Sequence, residues 1–256
     1  MKKYLIILIF FFGIGVINAD IYGANLAAWW RDDNSDVSSL ISQDNAGNGN
    51  QGTSLTDAGT LAVLSPCKLS QCYSFSKANK NYVRYIRGIA MEGNIDVTVV
   101  GWIKTTEAGT NIFFTKGSYS GNYHYQFMMR VTDNFLSVDV FPTDNTNSDR
   151  SIVTDNTTKI NDGIWHQVGF TFKRSTYIKL WVDGKNVFSS LPSIPSTLNV
   201  NTAYGGTICS DNNQTFVKNF CTAQLDDFRI YTRALSDAEI LQYYSSTNYN
   251  FQRRQL

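Results

Sequence analysis

Apolar and polar residues alternate with a period of two along much of the chain from Asp96 onward. Residues 96–104 (DVTVVGWIK), 135–141 (FLSVDVF) and Tyr177–Val182 (YIKLWV) each predict a half-buried strand, because successive strand side chains point to opposite faces. In the third, Ile178, Leu180 and Val182 share one face while Tyr177, Lys179 and Trp181 share the other. Turn signals fall between these runs, at Glu107-Ala108-Gly109, Asn161-Asp162-Gly163 and Asp183-Gly184. The last is a two-residue loop that needs positive φ at both positions, so Tyr177–Val182 and 185–189 are predicted to form a hairpin. Many short strands joined this way predict an all-β sandwich or barrel of antiparallel sheets. The stretch 34–64, rich in Gly, Asn, Ser and Asp, reads as a long loop within one domain.

One segment departs from the period. Ser236-Asp237-Ala238-Glu239 is a capping box, in which the serine and glutamate each satisfy an orphan amide of a helix start. Leu235 and Ile240 are placed as a hydrophobic staple around it, and Ile240, Leu241 and Tyr244 extend one short amphipathic helix over about 236–245. Residues 246–256 read as a frayed polar tail.

At the other end, Met1-Lys2-Lys3 precedes an apolar run over 4–17 and a small Ala19, the layout of a signal peptide over 1–19. The run is shorter than the roughly 20 residues of a membrane span, with an uncleaved anchor as the alternative. The reading is a secreted protein whose domain occupies 20–245. Removing Lys2 and Lys3 leaves twenty basic side chains against 21 acidic ones, so no basic excess exists to neutralise phosphates. Nucleic acid is thereby excluded as the expected partner. Export also gives meaning to Cys67, Cys72, Cys209 and Cys221, which form two sequence-local couples. Four cysteines allow three connectivities; Cys67–Cys72 with Cys209–Cys221 is favoured, and Cys72–Cys221 is the rival, since each lies beside a predicted strand. Asn156 and Asn213 each open a glycosylation sequon.

Seven stretches in order resemble a known family: Leu26-Ala27-Ala28-Trp29-Trp30; the loop Asp44 to Gly52; Tyr73-Ser74-Phe75 ahead of Asn81-Tyr82-Val83; residues 97–104; Asp162 to Val168; Leu180 to Lys185; and Leu225 to Ile240. Together they resemble the laminin-G-like jelly-roll domains of the concanavalin A-like lectin/glucanase superfamily, from about Leu26 to Tyr244. The resemblance implies two face-to-face antiparallel sheets with the first and last strands adjacent. Departures are a longer stretch over 55–68 and Gln167 after Trp165-His166, where a second histidine is common.

Glycoside hydrolases of this superfamily need two carboxylates flanking the scissile bond, which those relatives place as Glu-x-Asp-x-Glu on one strand. Here Glu92, Glu107 and Glu239 are isolated, and no nucleophile-elbow Gly-x-Ser-x-Gly is present. His124 and His166 are too few for a histidine metal site, and His166 reads as a buried ring donating to a backbone carbonyl. Period two puts Asp226 on the apolar face of Phe228 and Ile230, a costly place for a carboxylate unless something neutralises it. Asp227 pairs with Arg229 on the opposite, surface face. A structural Ca²⁺ held by Asp226, Asp44 and Asn50 is therefore expected, as the resemblance also suggests. The alternative is an Asx-turn at Asp44 and backbone amides on Asp226. Trp102 and Trp165 are assigned to the core, and Tyr177 and Trp181 are the candidate ligand contacts. The expected function is a non-catalytic module binding glycans or glycoproteins, with no nucleic acid and no stable membrane insertion. An extracellular structural or adhesion protein binding protein partners is the alternative, and a divergent glycoside hydrolase the third reading.

Overall fold

The computed structural model describes residues 25–31, 37–38, 41–42, 44–56, 61–64, 66–85, 95–120, 123–140, 151–191, 205–211 and 218–255. The strands are β1 (Leu26–Trp30), β2 (Val37–Ser38), β3 (Ile41–Ser42), β4 (Gly52–Thr56), β5 (Ala62–Leu64), β6 (Cys72–Phe75), β7 (Asn81–Tyr85), β8 (Val97–Lys104) and β9 (Asn111–Ser120). They continue with β10 (Tyr123–Thr132), β11 (Phe135–Val140), β12 (Ser151–Lys159), β13 (His166–Lys173), β14 (Tyr177–Val182), β15 (Lys185–Ser190), β16 (Gly206–Ile208) and β17 (Ala223–Tyr231). One helix follows, α1 (Asp237–Gln255). Four short strands, β2 to β5, occupy the stretch read as a loop. The helix runs ten residues past the expected end near Ser245, through the segment read as a frayed tail.

The first sheet has the order β15-β14-β13-β8-β17-β6-β5, and β1 pairs with the second half of β17. The second has the order β12-β11-β10-β9-β16-β7-β4-β3-β2. Neighbours are antiparallel, and the first and last strands lie side by side, Trp30 opposite Phe228 and Ala28 opposite Ile230. The β14–β15 hairpin forms as its turn chemistry dictates, with Asp183 and Gly184 at φ +50° and +74°.

The alternation read along β14 sorts its residues into two different interiors. Ile178, Leu180 and Val182 enter the core between the sheets, where the Phe127 and Phe170 rings stack at 5.6 Å and Phe114 and Phe228 at 6.1 Å. A second, smaller core lies on the outer face of the first sheet. Leu26, Val100, Trp102, Trp181 and Tyr231 are roofed there by Leu235, Ile240 and Tyr243. The capping box holds that roof in place: Glu239 N–H donates to Ser236 Oγ, and Ser236 N–H to Glu239 Oε2. Cys67–Cys72 and Cys209–Cys221 are both bridged, with Cα atoms 5.7 Å and 5.0 Å apart. Asn156 is exposed on β12; Asn213 and residues 1–19 lie outside the described residues. Among the described residues, no helix is long and apolar enough to cross a membrane.

Candidate functional site

A bulge in β17 rearranges the residues from which a metal site was expected. Asp226 is opposite Trp102 and Arg229 opposite Val100, so Asp227 and Phe228 together face the single Gly101. Asp227 takes up the extra residue with φ +53°. The break in alternation places Asp226 on the outer face with Trp102, not beside Phe228 and Ile230. Its Oδ2 accepts from Leu69 N–H at 2.7 Å, and the Lys68 ammonium acts on it electrostatically. The Asp227–Arg229 pair is likewise not a surface pair. Both side chains are buried, Nη2 bonds Oδ1 and Oδ2 at 2.9 and 3.0 Å, and the Trp29 and Tyr243 rings flank the guanidinium at 4.3 and 4.9 Å. Burial alone lowers the Arg229 pKa, but Asp227 outweighs it and holds the guanidinium charged.

The Asp44 loop does not fit a calcium ion. Asp44 Oδ1 accepts from the N–H groups of Trp29 and Ala46, and Oδ2 from those of Asn48 and Asn50. Four donors leave neither oxygen a free lone pair for a cation. The Asn50 amide nitrogen donates to Ala27 O, and its carbonyl accepts from Trp30 Nε1. No described contact brings Asp226 to this loop. Among the described residues, no group of three or more His, Cys, Asp or Glu is arranged to hold a metal. The geometry is the Asx-turn alternative, a loop closed on its own amides.

The two aromatic ligand candidates part company. Trp181 is 1% exposed beneath α1, and its Nε1–H donates to Thr171 Oγ1, so it is core and not a contact surface. Tyr177 is half-buried, with the Lys179 ammonium 4.8 Å from its ring centroid. Trp102 is core as expected, whereas Trp165 is only partly buried. His166 meets carboxylates instead of a backbone carbonyl: Nδ1 lies 2.8 Å from Asp183 Oδ2 and Nε2 3.1 Å from Asp162 Oδ1. Burial lowers its pKa, yet the bonds and charges of Asp183 and Asp162 prevail and raise it.

An open cleft of about 200 Å³ lies at one end of the first sheet, lined by Ser74, Phe75, Lys104, Thr105, Thr106, Gly163, Thr222, Ala223 and Gln224. Its base is a row across three neighbouring strands, since Gln224 of β17 is in register with Ser74 of β6 on one side and Lys104 of β8 on the other. In-register residues of adjacent strands point to the same face, so hydroxyl, amide and ammonium stand side by side. All three are half-buried, and their side chains make no hydrogen bond or ion pair among the described residues. The walls are positioned by Thr105, whose Oγ1 donates to Thr222 O and accepts from Glu107 N–H, and whose carbonyl accepts from Gly163 N–H at 3.0 Å. Gly163 has φ +82°, and a Cβ there would sit 3.0 Å from Thr106 Cγ2. The nearby Glu107 carboxylate is held by Lys77 at 2.8 Å. Among the described residues, no carboxylate lines the cleft. The row escaped sequence reading because its members lie 30 and 120 residues apart; only the strand register brings them together.

A laminin G-type family model, described as the concanavalin A-like lectin/glucanases superfamily, matches residues 77–241. No curated protein matches the sequence. Among solved structures, the binding domain of Paraclostridial Mosquitocidal Protein 1 is similar at a TM-score of 0.65 and 16% identity, over 87% of this chain and 52% of that one. The binding domain of botulinum neurotoxin DC, solved with rat synaptotagmin II, is similar at 0.64 and 13%, over 88% and 52%. A structure of botulinum neurotoxin type C, whose cell entry is described as dependent on two ganglioside molecules, is similar at 0.63 and 12%, over 87% and 51%. This chain therefore spans about half the length of these structures, and at such identities the likeness is one of fold.

Proposed function

The chain belongs to the concanavalin A-like lectin/glucanases superfamily, and from that premise we propose that it is an exported, non-catalytic module that binds carbohydrate or glycosylated surfaces. The observation that carries this reading is the Ser74–Gln224–Lys104 row at the base of the cleft. Half-buried polar residues whose side chains have no partner among the described residues form a surface ready to exchange water for the hydroxyls of a ligand. At about 200 Å³ the cleft is below the ~300–1,000 Å³ of drug-sized sites, which suits one ring of an oligosaccharide. Hydrolysis would need a pair of carboxylates around the bond to be broken, and among the described residues the cleft offers none. The leader-like sequence and the two disulfides support an oxidising, extracytoplasmic setting. The names of the similar structures, with a ganglioside in one and a protein receptor in another, are compatible with a binding role.

A protein partner is the second reading, favoured by Ile164, which is 57% exposed beside the cleft residue Gly163. A glycan array probed with the protein displayed multivalently separates the two, since a single small site binds weakly. Binding that free sugar competes away supports the carbohydrate reading. No glycan binding, together with capture of a deglycosylated protein, overturns it in favour of the second.

A further inference from the structure

We propose that the cleft selects acidic saccharides, with Lys104 as the residue that reads a carboxylate or sulfate on the bound ring; this deepens the carbohydrate reading above and rests on it. Lys104 closes the row on the β8 side, and no acidic side chain pairs with its ammonium among the described residues. The one glutamate of the adjoining loop, Glu107, already faces Lys77 at 2.8 Å and is unavailable to it. The contrast with Lys68 on the same sheet face is direct. The Lys68 ammonium donates to Asn248 Oδ1 at 2.8 Å, stands 3.8 Å over the Trp102 ring, and feels Asp183 and Asp226. One lysine has its counter-charges built into the fold, and the other has none among the described residues.

The ammonium of a half-buried lysine beside an amide and a hydroxyl is matched by an anionic group beside ring hydroxyls. The anion takes the charge-assisted bond, and Gln224 and Ser74, each able to donate and accept, take the neighbouring hydroxyls. Among the described residues lining the cleft the one aromatic, Phe75, is 2% exposed, so hydrogen bonding and charge dominate recognition. With the whole chain near neutrality, such selectivity comes from the site and not from a general field.

The test compares sialylated, uronate-bearing and sulfated oligosaccharides with their neutral counterparts, using wild type, Lys104→Gln, Gln224→Ala and, as an exposed lysine elsewhere, Lys185→Gln. Wild type and Lys185→Gln are expected to prefer the acidic forms by about tenfold or more. Lys104→Gln is expected to remove that preference while retaining neutral-sugar binding, and Gln224→Ala to weaken both classes. The carboxylate and sulfate arms tell which anion is read, and either one fulfils the proposal. A preference for acidic sugars that survives Lys104→Gln, or equal binding of acidic and neutral forms by wild type, overturns the assignment of Lys104 and leaves the carbohydrate reading standing. Binding to no saccharide of either kind overturns both.

Discussion

The outer face of the first sheet has a covered half and an open half. Beneath α1, Trp102, Trp181, Val100 and Tyr231 form a dry layer, and the charges admitted to it, Asp227 with Arg229 and Lys68 with Asp226, have partners within the fold. One row further along the same strands, Ser74, Gln224 and Lys104 stand without such partners among the described residues. The two halves share a backbone lattice, so the difference comes from where the helix lies. Where a roof excludes water, an unpaired charge is costly and the fold supplies a counter-charge; where solvent remains, it is tolerated and can serve a ligand.

The largest effect is expected in the covered half. Asp227→Ala leaves the Arg229 guanidinium buried without its counter-charge and should cost about 3–5 kcal/mol in urea unfolding. Replacing both charges, as Asp227→Asn with Arg229→Met, keeps a side chain that tolerates φ +53° and an acceptor for Trp29 Nε1–H, and should recover most of that loss. If the single and double variants were equally destabilised, the pair would not be what holds this half together.

Next in size is the anchor of the roof. Ser236→Ala removes the cap of α1 and should cost about 1 kcal/mol. Its glutamate adds a pH signature. Burial pushes the Glu239 carboxyl up, but its hydrogen bonds with Arg233 and Ser236 bring it down to about 2. A folded value below the usual 4.5 means that its contribution is present above pH 4.5 and fades as pH falls toward 2. Glu239→Gln should flatten the acid limb of the stability profile.

A smaller contribution ties β13 to the turn of the β14–β15 hairpin. Because the His166 pKa is raised in the folded protein, its stabilisation is complete below pH 6.5 and is lost as pH rises through the folded value. Thermal melts from pH 5.5 to 8.5 should show a falling midpoint that His166→Asn abolishes. The effect is limited because Asp162, one of the two carboxylates, is 46% exposed.

How far the covered and open halves are legible in the sequence follows from which signals are local. The Asp183-Gly184 hairpin and the Ser236–Glu239 capping box are short-range chemistry, and both form as read. The side-by-side first and last strands follow from the family resemblance. The alternation of β14 divides its residues correctly, but its outer face reads as solvent-facing because nothing in the Trp181 neighbourhood announces that the helix beginning at Asp237 covers it. The bulge at Asp227 carries no glycine, so period two runs straight through it and assigns Asp226 to the wrong face. The strands within 34–64 are two to five residues long, too short to show a period, and β4 and β5 find ladder partners outside the stretch, in β7 and β6.

In the open half, Lys104→Gln should change stability by less than about 0.5 kcal/mol, since no partner among the described residues is lost. The same substitution abolishes the proposed acidic preference, so its effects on folding and on binding separate. A loss comparable to that of Asp227→Ala would mean that Lys104 is structural and that the open half serves the fold no less than the covered one.

The smallest expected effect concerns the loop beside Trp29. An ion bound to the folded chain alone would raise the melting midpoint by mass action, with about 2.7 kcal/mol of stabilisation at a hundredfold excess over its Kd. Here the Asp44 carboxylate already receives four backbone N–H groups, so a cation would have to displace bonds that close the loop. Melts in millimolar calcium and in excess chelator should therefore coincide. A separation between them would show that this part of the molecule completes its electrostatics with an ion, and the rule dividing the two halves, partners within the fold against partners from outside, would fail there.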